Sequence, residues 1–264
     1  MSFVSRSAIP LGLLCLLTAC QGSAPSRSTE VRVAAAADLA VAFEALAPEL
    51  RRRTGLEVSF TFGSSGLLAR QLVEGAPFDV YVAASQTFML TVTASGACTM
   101  PDARPFVHGR LGVYFRVRPS PEASDLMPMD LTRLTDLAHD PIAIANPEHA
   151  PYGVAAREAL VAAGLFAAMQ PRLVLAENVR QAYQLVRSGN VSAAFVSAGL
   201  IEPGDPRFRL IDRSAHAPIE QYAATCARGP NPNGGARFLE HLRGEDALAL
   251  LQLHGFEAPP DRGP

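Results

Sequence analysis

The sequence predicts an α/β protein of two lobes, each a mostly parallel sheet flanked by helices, with a ligand cleft between the lobes. Two observations lead to this class. Strand-like and helix-like segments alternate along the chain, which calls for parallel strands joined by right-handed crossovers. The 264 residues also leave room for two lobes of ordinary domain size after an N-terminal export segment.

The first group of elements predicts a β-α-β-α-β unit. Strands are expected at 31–36, 56–61 and 78–83, and helices after Asp38, from Leu67 and after Ser85. Asp38 and Ser85 are suited to cap their helices, because their side-chain oxygens can accept hydrogen bonds from the free amides of a first turn. We therefore expect Asp38 to turn its carboxylate back onto its helix.

The rest of the chain predicts a second α/β unit and a helical end. Strands are expected at 111–116, 142–145, 173–176, 193–197, 208–212 and 221–227, and helices at 131–137, 153–163, 179–188, 236–242 and 245–254. The chain is expected to cross between lobes near 107–114 and to return near 222–228. The first lobe is then 30–109 plus 225–264, and the second lobe is 110–224.

A lipoprotein signal peptide is predicted for residues 1–19, because Arg6 precedes an apolar run too short to span a bilayer. Small residues before Cys20 resemble the lipobox of bacterial lipoproteins, which predicts cleavage before Cys20 and lipid on that cysteine. Residues 20–29 are expected to be a flexible tether. The chain is thus expected in the periplasm or on an extracytoplasmic membrane surface, attached only through this lipid. Cleavage at a nearby small residue, for instance after Ala24, is the alternative.

Charge and cysteine usage narrow the function classes. The net charge of −2 gives no electrostatic footprint for nucleic acid. The histidines stand in no metal-ligand spacing. Cys98 and Cys226 remain after export to an oxidising compartment, where they either form a disulfide or stay as two buried thiols.

The stretch around Ser65 predicts an anion site. A strand ends at Gly63-Ser64-Ser65-Gly66 and a helix follows, so free amides and the positive end of the helix dipole are available there. The Ser65 hydroxyl adds a donor. Three other turns between a strand and a helix share this feature: Ala37-Asp38, Pro151-Tyr152-Gly153 and Glu177-Asn178-Val179. Because such turns lie at the carboxyl ends of parallel strands, we expect them to surround an oxyanion with neutral dipoles.

Several motifs, in order along the chain, carry a resemblance to a known family. They are Val33-Ala34-Ala35-Ala36-Ala37-Asp38-Leu39, Phe62-Gly63-Ser64-Ser65-Gly66, Gly75-Ala76-Pro77-Phe78-Asp79-Val80, Asn146-Pro147-Glu148-His149-Ala150-Pro151-Tyr152-Gly153, Glu177-Asn178-Val179-Arg180 and His254-Gly255-Phe256. On these motifs the chain resembles the periplasmic molybdate-binding proteins of ABC importers, which are type II substrate-binding proteins. The resemblance implies the two-lobe periplasmic-binding-protein fold, a monomer and no cofactor. It also implies a molybdate or tungstate ligand that is passed to an importer permease with ATPase subunits.

The resemblance further implies the ligand contacts. Carried over to this chain, they fall on Asp38, Ser65, Tyr152, Val179 and Ser197. Ser65 is expected to offer its hydroxyl and backbone N–H, and Val179 its backbone N–H. The Tyr152 phenol either bonds the anion or closes the cleft. No side chain is expected to ligate the metal atom, which is held through its oxygens.

Asp38 departs from the family pattern, which has a neutral residue at this place. A carboxylate facing a dianion in a dry cleft would repel it by several kcal/mol. The capping role would turn the carboxylate away and leave only its backbone N–H for the ligand. The other interpretation is that the ligand differs.

Two other functions remain open. The first is a receptor for sulfate or phosphate, because the Asp38 carboxylate is suited to accept the proton of a hydrogenphosphate. The second is a serine hydrolase with Ser65 as nucleophile and His149 as base, although Gly-Ser-Ser-Gly is not the Gly-x-Ser-x-Gly elbow.

Overall fold

The computed structural model describes residues 30–119, 128–137 and 140–259. The predicted signal peptide, the tether and Cys20 lie outside the described residues. The strands are β1 Glu30–Ala36, β2 Glu57–Gly63, β3 Val80–Ala83, β4 Cys98–Thr99, β5 Val107–Gly109, β6 Leu111–Phe115, β7 Ile142–Ala145, β8 Leu173–Ala176, β9 Ala193–Ser197, β10 Phe208–Leu210 and β11 Ile219–Cys226.

Helices alternate with these strands. They are α1 Ala40–Thr54, α2 Ser65–Val73, α3 Gln86–Ala94, α4 Pro151–Ala162, α5 Phe166–Met169, α6 Val179–Arg187, α7 Pro232–Leu242 and α8 Glu245–Leu253. Short 3-10 turns occur at Ala37–Leu39, Leu131–Leu137, Gln170–Arg172, Ala198–Leu200 and Arg213–Ala215. No single described helix is long and apolar enough to cross a membrane; α4 and Phe166–Arg172 would suffice together by length and composition but are bent by 118°.

The strands form two sheets, as the predicted fold class requires. The first has the order β2-β1-β3-β11-β4, with β5 also paired to β11, and the second has the order β10-β6-β9-β7-β8. Strand β1 is parallel to β2 and β3, and β7 is parallel to β8 and β9. The pairings made by β6 and β11 are antiparallel. The α/β class is confirmed, but the sheets are mixed rather than mostly parallel.

Strand β11 belongs to the first sheet along its whole length. Ile219 lies opposite Gly109 on β5, and Cys226 lies opposite Cys98 on β4. The chain has therefore returned to the first sheet by Ile219, before the predicted boundary at 225. The facing cysteines Cys98 and Cys226 are joined by a disulfide, so the bonded alternative is the one present.

Helix α1 shows why the elements between the strands pack as predicted. Its apolar stripe of Phe43, Leu46 and Leu50 is buried, and each such side chain contributes about 1.5–3 kcal/mol of hydrophobic stabilisation. Phe43 packs against Phe60 of β2 at 5.5 Å between ring centroids. The helix ends at Gly55, which adopts φ 70° and donates its N–H to the Arg51 carbonyl. This packing holds α1 against the first sheet and so fixes the turn that joins β1 to α1.

Candidate functional site

A narrow cleft lies between the carboxyl ends of β1, β2 and β3 in the first sheet and those of β7 and β8 in the second. All four strand-to-helix turns predicted to bind an anion contribute to it. The described residues that line it are Ala36, Ala37, Asp38, Gly63, Ser64, Ser65, Ala84, Ala150, Pro151, Tyr152, Asn178 and Val179. A more open cavity of about 700 Å³ lies elsewhere, beside Arg110 and His254, and involves none of these turns.

The structure brings four of the five predicted contact residues to this cleft. Asp38, Ser65, Tyr152 and Val179 line it, and all four are buried. Ser197 is buried as well but is not among the described lining residues. Its hydroxyl donates to Tyr152 Oη over 2.9 Å, so it lies behind the tyrosine.

Ser65 is the first residue of α2 and is held from two sides. Its Oγ accepts a hydrogen bond from the Ala84 N–H at 3.1 Å, and its carbonyl accepts one from Tyr81 Oη at 2.7 Å. Because the hydroxyl oxygen is already an acceptor, its proton is available to donate. The backbone N–H of Ser65 belongs to the first turn, where amides have no intrahelical partner.

The second lobe presents two more helix starts. Helix α4 begins at Pro151, whose missing N–H suits a first helical position, and Tyr152 follows. Helix α6 begins at Val179, and the preceding Asn178 accepts a hydrogen bond from the Gln181 N–H at 3.0 Å. The first-turn amides of Tyr152 and Val179 carry the positive end of each helix dipole. Together with Ser65 they give the cleft neutral donors from both lobes.

Asp38 does not cap a helix, so that prediction is wrong. A 3-10 turn at Ala37–Leu39 precedes α1, and neither it nor α1 has a side-chain cap. The tightened turn places the carboxylate across the cleft, where Oδ2 accepts hydrogen bonds from Tyr152 Oη at 3.0 Å and Gln221 Nε2 at 2.6 Å. Among the described residues, nothing donates to its buried Oδ1.

The burial of Asp38 changes its acidity. Loss of hydration raises the pKa of its carboxyl from 3.8 to about 7, and the hydrogen bonds from Tyr152 and Gln221 offset only part of this rise. Burial and the adjacent carboxylate also raise the pKa of Tyr152 well above its ordinary value. Tyr152 is therefore a neutral donor, and Asp38 takes up or loses its proton near neutral pH.

The two lobes meet directly over this cleft. Asp38 and Gln221 come from the first lobe, whereas Tyr152 and Ser197 come from the second, so the chain of hydrogen bonds through Tyr152 crosses between them. On the other side of the cleft, the Ser64 hydroxyl bonds both the carbonyl and the Nδ1 of His149, at 2.9 Å for Nδ1. Of the two roles predicted for the Tyr152 phenol, this geometry corresponds to closing the cleft.

The predicted hydrolase pair does not form. His149 Nδ1 lies against Ser64 Oγ rather than Ser65 Oγ. The Ser64 hydroxyl donates to the His149 carbonyl, and a second contact joins Ser64 Oγ to His149 Nδ1. Within the described residues, no cluster of three or more His, Cys, Asp or Glu side chains is arranged to hold a metal ion.

Sequence reasoning missed Gln221 and Ser64. Gln221 is fully buried on β11 and donates to Asp38 across a sequence separation of 183 residues. No local pattern marks that contact. Ser64 lies within the Ser65 motif, and its partner His149 lies within the Pro-Glu-His motif. The presence of both motifs in one chain was the sequence signal for their contact.

A cleft closed between two α/β lobes and lined by buried helix starts defines a protein that binds a small solute rather than a macromolecule. The profile of the family described as "Bacterial extracellular solute-binding protein" matches residues 31–257, and the chain belongs to this family.

Sequence comparison finds several relatives that are molybdate-binding proteins. The molybdate-binding protein ModA of Escherichia coli is 29% identical over 241 residues, covering 89% of this chain and 91% of the relative. The ModA of Rhodobacter capsulatus is 26% identical and covers 88% and 90% of the two chains.

Solved structures agree with the fold. The periplasmic molybdate-binding protein of Azotobacter vinelandii superposes with a TM-score of 0.78 at 26% identity, covering 87% of this chain and 99% of that one. The sulfate-binding protein SubI of Mycobacterium tuberculosis superposes with a TM-score of 0.69 at 14% identity, a likeness of fold alone.

Proposed function

We propose that this protein captures molybdate or tungstate outside the cytoplasm and delivers it to an ABC importer. The observation that carries the proposal is the joining of four strand-to-helix turns, from both lobes, around one small cleft. Oriented amides and a hydroxyl compensate a tetrahedral dianion without a buried countercharge. The names of the ModA relatives support this choice of ligand.

Each predicted contact has a role in this proposal. Ser65 donates its hydroxyl and backbone N–H to the anion, and Tyr152 and Val179 donate backbone N–H groups. Asp38 lies beside the anion, and its carboxylate also holds the Tyr152 phenol. Ser197 acts indirectly by orienting Tyr152. No cofactor takes part, and the anion is held through its oxygens.

Binding and delivery follow from the two-lobe arrangement. An anion that contacts both lobes binds the closed form more tightly than the open form, so it shifts the population towards closure. The closed protein, acting as a monomer, is then recognised by the permease, whose ATPase subunits supply the energy. The proposal includes no catalytic step, because Ser65 Oγ accepts from the Ala84 amide and has no base beside it among its described contacts.

The membrane attachment is part of the same proposal. Lipid on Cys20 and a tether of residues 20–29 would hold the binding lobes at the extracytoplasmic membrane surface, close to the permease. Mass spectrometry of the membrane fraction tests this, since an unmodified N-terminus downstream of Cys20 would contradict it.

Phosphate is a second candidate ligand. The buried Asp38 Oδ1, which receives no hydrogen bond from the described residues, is suited to accept the proton of hydrogenphosphate. Sulfate, like molybdate, has no such proton near neutral pH, so it gains no hydrogen bond to an ionised Asp38. The unpartnered oxygen therefore keeps phosphate, more than sulfate, as the competitor to test.

Isothermal titration tests the ligand assignment. Wild-type protein is titrated with molybdate and tungstate, alone and with excess sulfate or phosphate. We expect one-to-one binding that neither competitor displaces. Ser65→Ala, which removes the cleft hydroxyl, is expected to weaken binding about tenfold or more, while Ser95→Ala on the far end of α3 leaves it unchanged. Binding of phosphate alone would overturn the assignment.

A further inference from the structure

Asp38 is the only carboxylate among the described residues that line the cleft. Its side chain is 1% exposed, and its two oxygens differ in their surroundings. Oδ2 accepts from Tyr152 Oη and Gln221 Nε2, whereas Oδ1 receives no hydrogen bond from the part of the chain that the structure describes. A buried polar atom without a partner is costly, so the arrangement suits a state in which Oδ1 has one.

Within the described part of the chain, no cationic side chain pairs with Asp38. On α6, Arg180 forms an ion pair with Glu44 of α1, with 3.7 Å between Nη2 and Oε1. The Arg180 side chain is 42% exposed, so this pair lies at the protein surface. The loop before α4 carries His149, whose Nδ1 is bonded to Ser64.

The remaining neighbours of Asp38 are neutral or face elsewhere. The turn Ala198–Leu200 has no titratable side chain. On β11, Glu220 accepts from Tyr222 Oη and lies on the opposite strand face from Gln221. Tyr152, which contacts Asp38 directly, stays neutral because burial raises its pKa.

An ionised Asp38 is incompatible with a dianion in the closed cleft. Both charges would be desolvated, and the described residues around them offer only neutral donors to offset their repulsion. A protonated carboxyl removes the repulsion. Because Oδ2 already accepts two hydrogen bonds, the proton belongs on Oδ1, where it becomes one more donor to the anion.

We propose that Asp38 makes anion binding proton-linked: the bound state holds one proton on Asp38 Oδ1, which donates to an oxygen of a tetrahedral oxyanion. This inference rests on the proposed function, because it requires a dianion in this cleft. One proton is taken from solvent for each anion bound, and it returns to solvent when the lobes open and Asp38 is hydrated again.

The linkage has a definite sign. Above neutral pH the open protein has an ionised Asp38 and must take up a proton to close on the anion, so the Kd rises with pH. Uptake of one proton corresponds to a tenfold rise in Kd per pH unit.

The test is calorimetric titration of molybdate at about pH 8 in buffers of different ionisation enthalpy, with wild-type protein, Asp38→Asn and the surface control Asp246→Asn. Proton uptake near one for the wild type and for Asp246→Asn, and near zero for Asp38→Asn, supports the proposal. Asp38→Asn is also expected to bind more tightly than the wild type at this pH and to lose the tenfold dependence of Kd on pH.

Other outcomes overturn it. Molybdate binding by the wild type without proton uptake removes the linkage and leaves the proposed function standing. Uptake that persists in Asp38→Asn but disappears in His149→Gln assigns the proton to His149 instead. Absence of binding of molybdate and of tungstate by the wild type overturns the proposed function and this inference with it. The wild-type buffer comparison needs no variant, so it decides the linkage even where Asp38→Asn does not fold.

Discussion

The backbone N–H of Gly66 donates a hydrogen bond to the carbonyl oxygen of His149 over 2.9 Å, and so joins helix α2 of the first lobe to the loop before α4 of the second. The contact is possible because residue 66 has no side chain. A Cβ there would lie 2.8 Å from the His149 carbonyl oxygen and 2.8 Å from Phe88 Cζ. The closed form therefore requires glycine at position 66, although the sequence itself indicates only that this residue belongs to a turn.

Gly66→Ala is expected to keep the lobes apart. Because the added methyl displaces the His149 backbone, the Kd for molybdate should rise at least about tenfold, while within the first lobe only the end of the Phe88 ring has to shift. Calorimetry and small-angle scattering with saturating ligand measure the two effects. The control is Gly244→Ala, where the nearest contact of a Cβ is His241 O at 3.2 Å, away from the cleft. Unchanged affinity in Gly66→Ala would show that this contact is not needed for closure.

Tyr152→Phe is expected to weaken the closed form. The variant loses a donor to Asp38 and an acceptor for Ser197, and about 1–2 kcal/mol of lost hydrogen bonding corresponds to roughly a 5- to 30-fold rise in Kd. Ser197→Ala should have little further effect in the Tyr152→Phe background, because it acts through the same phenol. Tyr183→Phe, which removes a hydroxyl bonded to exposed Arg187, is the control. Fully additive effects of the two changes would contradict this coupling.

The stability of the protein should depend on pH through Asp38. The folded, closed state holds this proton up to about pH 7, while the unfolded chain releases it near its ordinary pKa of 3.8. The folded state thus binds more protons across that interval, and the Asp38 contribution to stability falls as pH rises through it, by up to about 4 kcal/mol.

The difference between wild-type protein and Asp38→Asn isolates this contribution, because other carboxyls titrate too. For example, the Arg207 side chain lowers the pKa of Asp205 to about 2, which stabilises the fold as pH rises. Urea unfolding at pH 5 and pH 8, with saturating molybdate to keep the lobes closed, is expected to show the variant gaining stability relative to the wild type at the higher pH. A constant difference between the two proteins would contradict the raised pKa.

The disulfide is expected to stabilise the first lobe without affecting the site. Cys98 and Cys226 join β4 to β11 across a sequence separation of 128, and neither lines the cleft. Replacing both by alanine should cost about 2–5 kcal/mol of unfolding free energy and leave the Kd for molybdate unchanged. Thermal unfolding of the variant, and of the wild type with reductant, measures the loss. Equal stability with and without the bond would contradict this role.

The α/β class and four of the cleft residues could be predicted because their signals are local. A strand followed by Ser65 or Val179 and then an apolar-periodic helix is visible in a short window, and parallel topology brings such turns together. The Ser85 cap was confirmed for the same reason, since its side chain accepts from the Phe88 N–H. The role of Asp38 was not predictable in this way. Its capping propensity was outweighed by a 3-10 turn and by Tyr152 and Gln221, which reach it from distant segments.

The extra antiparallel pairings escaped prediction for a related reason. Strands β4 and β5 have two and three residues, too few for a periodic pattern, and they are defined by their pairing with β11. Ile219 and Glu220 give no local sign of which sheet they join, and it is their pairing with β5 that puts them in the first sheet. Pairing between distant strands, rather than propensity, fixes these parts of the fold.

In the proposed complex, one tetrahedral anion is held by donors from both lobes in the cleft of Ser65, Tyr152 and Val179. Crystals grown with molybdate and measured at the molybdenum absorption edge locate that anion. We expect a single anomalous peak between these three residues, with its oxygens within hydrogen-bonding distance of the Ser65 hydroxyl and the first-turn amides. An anomalous peak outside the cleft, or no peak at saturating molybdate, would contradict this binding site.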